Sequence, residues 1–300
     1  MKAVILLSCV SLALASISCG INHPNKANVT VGRHKRRILH GDNAPVGKWP
    51  WQVLIKLDFS YEGDMPLENR GYWCGGTVIS DRWILTAAHC VSGENPGHLS
   101  IVGGYSGNSS ELENAFSTES IENIVHPSYR SDENSTVYDI ALIKLKTSIV
   151  FDDTISPICL PSPGQKWLTK APQIETVTES TVSEVEGDTS NEMETTVPDN
   201  EPKNEAVDPL DKLICAGSSK GRVLEGDSGG PIMMMATDGS WFQIGITSYG
   251  PTTNTDEPDK FTDVRKYCGW IEEKTEGEAK CEKNEVIVEE IKPYSFFHLQ

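Results

Sequence analysis

From residue 38 onward the chain is written in short apolar runs, at 51–57, 76–79, 83–88, 140–145, 232–235 and 243–249, separated by Gly, Pro, Asn and Asp. Runs this short are below the length of most helices, and several are rich in β-branched residues. Many brief strands divided by turn residues predict an all-β sandwich or barrel protein. One segment breaks the pattern: Val264, Tyr267, Trp270 and Ile271 recur at helical spacing and predict a single amphipathic helix near the end. Between about residues 173 and 208, Glu, Thr, Ser, Val and Pro dominate and hydrophobic positions are too sparse for a core strand. That stretch reads as a solvated, acidic insert. Residues 276–300 form a second acidic stretch, and its apolar end, 294–299, reads as a docking peptide.

Charge narrows the function. The 300 residues carry 43 Asp and Glu against 26 Lys and Arg, a formal charge of −17. A nucleic-acid partner needs a basic face, so that class is excluded. The excess is local: residues 175–211 hold 12 acids and one Lys, and residues 272–292 hold 8 acids and 4 Lys. The remaining body is close to neutral, so the insert is a candidate surface for a partner of its own.

The first residues set the compartment. Lys2 precedes an apolar stretch too short to span a bilayer comfortably, and Ala13-Leu14-Ala15 supplies small residues for a signal peptidase. Residues 1–15 are therefore expected to be a signal peptide, the protein secreted, and no membrane span retained. The polar segment after it ends in Arg33-His34-Lys35-Arg36-Arg37 and reads as an exposed, protease-sensitive tether. Secretion changes the meaning of the cysteines. Cys9 leaves with the signal, and Cys19, Cys74, Cys90, Cys159, Cys215, Cys268 and Cys281 read as disulfide partners rather than metal ligands. Their number is odd, so at least one thiol is free or pairs with another chain. No metal site is expected. Asn28, Asn108 and Asn134 each begin an Asn-X-Ser/Thr glycosylation sequon in polar surroundings.

Three local motifs carry chemistry. Thr86-Ala87-Ala88-His89-Cys90 puts a histidine beside a cysteine at the end of an apolar run. Asp139 stands at the mouth of an alternating strand, and Gly226-Asp227-Ser228-Gly229-Gly230-Pro231 places a serine in a glycine-rich turn. Serine is a poor nucleophile alone. It needs a base to take its proton and an acid to hold that base in the right tautomer.

Together, in the order His…Asp…Ser, these motifs resemble the chymotrypsin-like (trypsin-like) serine protease family, over about residues 38–271. The resemblance implies two antiparallel β-barrels with a C-terminal helix and an active site between them. It implies a serine endopeptidase that cleaves peptide bonds through an acyl-enzyme without a cofactor. His89 would be the general base, Asp139 its orienting carboxylate and Ser228 the nucleophile, with the N–H groups of Gly226 and Ser228 forming the oxyanion hole. Arg37 followed by Ile38 resembles the family's activation junction. Residues 16–37 would then be a propeptide, residues 38–275 the protease domain, and an activating protease a partner beside the protein or peptide substrates. The freed Ile38 ammonium would seek Asp227, since a buried charge needs a counter-charge. Cys74 with Cys90, and Cys19 with Cys159, match two disulfides of the family, the second tethering a cleaved propeptide. Ser248 and Gly250 match the strand that pairs with substrate backbone.

The match also has gaps. Leu224 replaces a family cysteine beside the specificity pocket, and Cys215, Cys268 and Cys281 are left without assigned partners. Trp167 follows Cys159 after only eight residues, where relatives have nearly twenty, so the first strand of the second barrel reads as deleted. A barrel short of a strand leaves unpaired backbone edges. At the pocket base, Arg222 stands six residues before Ser228, and Asp259 matches a second position near the floor. An arginine there repels basic side chains and favours Asp or Glu, so trypsin-like specificity is not expected. If Arg222 and Asp259 pair, the pocket is instead neutralised and closed. These departures leave a second reading open, a catalytically inactive homologue acting as a binding or regulatory protein. An esterase of the α/β-hydrolase type is disfavoured, because its order is Ser…Asp/Glu…His.

Overall fold

The computed structural model describes residues 19–22, 46–58, 71–93, 99–104, 115–132, 135–165, 168–169, 209–216, 223, 226–250, 257–282, 287–288 and 292–293. The signal segment, Arg37, Ile38, the sequon asparagines Asn28, Asn108 and Asn134, Arg222, the acidic insert and the run 294–299 lie outside the described residues.

The first half runs through β1 (Gln52–Asp58), β2 (Gly71–Val78), β3 (Trp83–Thr86), β4 (Leu99–Gly103), β5 (Phe116–Val125), β6 (Arg130–Ser131), β7 (Thr136–Val137) and β8 (Ala141–Leu145). Six of these close a barrel in the order β1-β2-β3-β8-β5-β4, with every neighbour antiparallel. Closure leaves no open edge and turns one face of each strand into a common interior. Val53, Ile55, Ile84, Leu99, Ile101 and Ile143 are fully buried there. The apolar runs at 51–57, 76–79, 83–88 and 140–145 fall on β1, β2, β3 and β8. The more polar β5 carries no such run, since four of its ten residues are exposed and only Thr118 is buried.

The second half runs through β9 (Leu160–Pro161), β10 (Leu168–Thr169), β11 (Leu213–Ala216), β12 (Pro231–Met235), β13 (Trp241–Tyr249) and β14 (Asp259–Asp263). A 3-10 turn at Val264–Tyr267 leads into α1 (Cys268–Lys274). Asp263 starts that turn by accepting the Arg265 N–H at 3.1 Å, and it takes a two-point contact from the same guanidinium at 2.9 and 2.7 Å. Val264, Tyr267 and Ile271 are buried, so three of the four predicted helical positions form the inward face.

The chain then continues through β15 (Cys281–Glu282), β16 (Ile287–Val288) and β17 (Lys292–Pro293). β15 lies parallel to β9, β16 parallel to β10, and β17 antiparallel to β12. The main sheet of this half is therefore β11-β14-β13-β12-β17. The missing family strand predicts an open edge; among the described residues this sheet does stay open, ending at β11 and β17, while β12 has strand partners on both sides. Backbone donors and acceptors beside a buried apolar strand demand partners, and the C-terminal segment supplies them.

One apolar cluster spans both halves, and a second, including Ile232, Met234, Phe242, Ile244 and Phe261, lies within the second half. Trp49, Trp51 and Trp241 cluster where the halves meet, with Trp49 edge-on to Trp241 at 4.7 Å between centroids. The Trp51 indole N–H donates to Met233 Sδ at 2.9 Å, tying β12 to the first barrel. Cys74–Cys90 and Cys19–Cys159 are disulfides, and Cys268–Cys281 is a third that the sequence left unassigned. Cys215 keeps a free thiol. The N-terminal residues 19–22 are held by more than a disulfide: the Gly20 N–H donates to Pro157 O at 2.8 Å and Gly20 O accepts from Trp241 N–H at 2.9 Å. Gly20 has φ +71°, and any side chain there would fall on the Trp241 backbone. Among the described residues no helix is long and apolar enough to cross a membrane.

Candidate active site

His89 sits in the short 3-10 turn Ala88–Cys90 that follows β3, locked in place by the Cys74–Cys90 disulfide. Asp139 precedes β8, and β8 pairs with β3, so the barrel brings the two residues side by side. Asp139 is fully buried, and each of its oxygens is used. Oδ1 accepts the His89 backbone N–H at 2.9 Å and Oδ2 accepts from Nδ1 at 2.8 Å. A buried carboxylate is tolerated only with such partners. The contact also fixes the tautomer, with the proton on Nδ1 and Nε2 left as the basic nitrogen. The His89 side chain is 22 % exposed.

Ser248 adds a third donor. β13 carries an irregularity in its pairing with β14 between Thr247 and Tyr249, and at this extra residue the Ser248 Oγ–H donates to Asp139 Oδ2. A bulge re-aims a side chain that strict alternation would direct elsewhere. Thr262 of β14 donates to the Asp139 backbone oxygen at 2.9 Å. The sequence named Ser248 for its backbone. The hydroxyl contact, and the part played by Thr262, had no local signal, because both span more than a hundred residues.

Ser228 lies in the turn entering β12, and that turn is braced against the first barrel. Ser228 O accepts the Gly75 N–H at 2.7 Å, Gly229 N–H donates to Thr247 O at 2.9 Å, and Gly230 N–H closes onto Asp227 O at 3.0 Å. Gly226 and Gly229 have φ +91° and +76°, a region that excludes most side chains. At Gly229 a Cβ would also collide with Thr86 Oγ1 and Gly75 O. Thr86 Oγ1 itself donates to Gly75 O at 2.8 Å, so the end of β3 that carries His89 is keyed to the serine turn through backbone and one hydroxyl. Ser228 Oγ has no hydrogen-bond partner among the described residues. Asp227 is buried.

Asp259 is buried at the start of β14 and its Oδ2 accepts the Val223 N–H at 3.0 Å. It thus holds the backbone next to Arg222. Tyr249 ends β13, and its phenol is pushed up by burial first and by the nearby Cys215 second. Past Ile246, which pairs with Pro231, β13 continues beyond its β12 partner, and Gly250 follows its last residue.

Behind Asp139, His126 stacks on Tyr138 at 5.2 Å and 12° and meets Tyr267 edge-on at 5.3 Å. Lys212 Nζ lies 4.9 Å from the Tyr138 ring centre. Burial, with the Lys212 charge second, lowers the His126 pKa to about 4. Among the described residues two groupings of potential metal ligands occur, Cys74/His89/Cys90 and Cys19/Cys159/Glu282. Both are built on disulfide sulfurs, which have no thiolate to offer a metal.

A family model described as Trypsin matches residues 38–271. Coagulation factor XI of Bos taurus is 32 % identical over 266 residues, 83 % of this chain but 40 % of that protein. Serine protease 28 of Mus musculus is 30 % identical over 284 residues, 87 % of this chain and 97 % of that protein. The chain thus spans about two fifths of the factor XI relative and nearly all of the other. A match that begins at the proposed cleavage residue and ends inside α1 covers every element of the site, and the chain belongs to the trypsin family of serine proteases.

Proposed function

We propose that the protein is a secreted serine endopeptidase, made as a zymogen and not trypsin-like in specificity. The observation that carries this reading is the buried Asp139, whose oxygens hold His89 by both its backbone and its ring. Ser228 Oγ attacks the peptide carbonyl while His89 Nε2 takes its proton. Asp139 holds Nδ1–H and offsets the imidazolium charge. The N–H groups of Gly226 and Ser228 receive the developing oxyanion, each worth about 3–4 kcal/mol of barrier. The proton on His89 passes to the leaving amine, and water then cleaves the acyl-enzyme by the same route in reverse.

Cleavage after Arg37 frees the Ile38 ammonium to pair with Asp227, and the oxyanion hole forms only then. The Cys19–Cys159 disulfide keeps the cut propeptide attached. Arg222 at the pocket base disfavours Lys and Arg in substrates and draws Asp or Glu. Three disulfides accord with an oxidising, extracellular compartment.

The test exposes secreted protein, with and without cleavage after Arg37, to a fluorophosphonate probe beside a Ser228→Ala control. Labelling that requires both the cut and Ser228 is the expected result. Absence of labelling from folded, cut protein overturns the enzyme reading in favour of a binding or regulatory role.

A further inference from the structure

We propose that β16 and β17, Ile287–Val288 and Lys292–Pro293, are a built-in replacement edge, which extends the sheet of the second half in cis and holds the strand leading out of the Ser228 turn. β12 begins at Pro231, directly after the turn residue Gly230, whose oxygen accepts the Thr247 N–H at 2.8 Å. Ile232, Met233 and Met234 of β12 are all buried. So apolar a strand is unsuited to a solvent edge, where it would recruit other chains. The family strand that reads as deleted falls between Cys159 and Trp167, at the start of this half.

The C-terminal segment reaches β12 by three successive pairings. The Cys268–Cys281 disulfide fixes its start, and Ser162 N–H donates to Glu282 O at 3.0 Å where β15 runs beside β9. Ile287 and Val288 then pair with Leu168 and Thr169, and Lys292 and Pro293 pair with Met233 and Ile232. The sequence suits each position. Val286-Ile287-Val288 and Ile291 are β-branched strand formers. β17 becomes the outermost strand of its sheet, and it carries a lysine and a proline, residues that natural sheets place on exposed edges to block further pairing. An edge strand with those features over an apolar inner strand is the arrangement expected of a permanent member of the sheet.

The pairing itself does not rest on the protease reading; only its consequence for Ser228 does. The direct test uses the full chain with Cys215→Ser, Met233→Cys and Lys292→Cys. Oxidation should link the peptides containing 233 and 292 within one chain, while Met235→Cys with Lys292→Cys should not link. No link, or a link only between two chains, overturns the proposal. The second test compares the full chain with one ending at Glu282, which retains all three disulfides. Amide exchange at Ile232 and Met233 should quicken by about 100-fold or more in the shortened chain, and a synthetic 283–300 peptide should restore protection. Unchanged exchange overturns the proposal. Fluorophosphonate labelling of Ser228, followed in the same samples, should be lost on truncation and recovered with the peptide. If the full chain never labels, the protease reading fails while the cross-link and exchange results still judge the strand.

Discussion

Gly229 and Gly239 offer a controlled comparison, because both have positive φ, +76° and +88°, yet their surroundings differ completely. A Cβ at Gly239 meets nothing within 4 Å, whereas one at Gly229 lands on Thr86 Oγ1 and Gly75 O. Replacing either by Ala forces an L-residue into left-handed backbone, which costs about 1–2 kcal/mol. That term is shared. Gly229→Ala adds overpacking of about 1–3 kcal/mol. It also threatens the Thr86–Gly75 hydrogen bond, worth about 1 kcal/mol. The Gly75 carbonyl is backbone in β2 and cannot swing aside as a side-chain end would. The expected excess of Gly229→Ala over Gly239→Ala is therefore about 2–4 kcal/mol. For a domain of this size that is about 5–10 °C in Tm, read by circular dichroism at a fixed scan rate. Fluorophosphonate labelling should fall with Gly229→Ala and persist with Gly239→Ala. Equal losses of Tm would refute the reasoning, since the serine turn would then not be keyed sterically to the first barrel.

Three further outcomes are expected. Ser248→Ala removes one donor to Asp139 Oδ2 and should slow labelling of Ser228 about tenfold, or about 1.4 kcal/mol, with little change in fold; an unchanged rate would show that the two His89 contacts suffice. His126, with its pKa lowered to about 4 in the fold, stays neutral where the unfolded chain becomes protonated. Its contribution is complete above pH 6.5 and is lost as pH falls toward 4, by about 1–2 kcal/mol after allowance for the exposed part of the ring. Denaturant unfolding of His126→Phe should show a shallower decline than wild type over that window, and matching slopes would contradict the assignment. Cys268→Ser with Cys281→Ser opens a loop of 13 residues and should lower stability by about 3 kcal/mol in urea unfolding, with a loss under 1 kcal/mol counting against the bridge.

What the sequence made legible is what depends on near neighbours. The apolar runs became β1, β2, β3, β8, β12 and β13 because alternation and short length are local properties of a chain. β14 was invisible to that reasoning. Its sequence is Asp-Lys-Phe-Thr-Asp, and it is buried all the same because Asp259 holds the Val223 N–H and Asp263 holds Arg265. The Cys268–Cys281 bridge could not be assigned because spacing does not determine pairing. β16 and β17 were missed because two-residue strands leave almost no pattern, and their partners lie far away in sequence. The hydroxyl contact of Ser248 was missed for a related reason: a bulge is a break in alternation that hydropathy does not record.

The passage between the two halves, residues 157–162, receives contacts from both ends of the described chain. Gly20 hydrogen-bonds Pro157, Cys19 is bonded to Cys159, and Cys281–Glu282 runs alongside Leu160–Pro161. A single crossover between two packed units is where a hinge would ordinarily operate, since a few connecting residues can absorb the rotation. Here that crossover is wrapped from both directions, as a belt buckled by its own two ends. Rotation of one half against the other is consequently restrained at its natural pivot, and would first require either of these two attachments to be released.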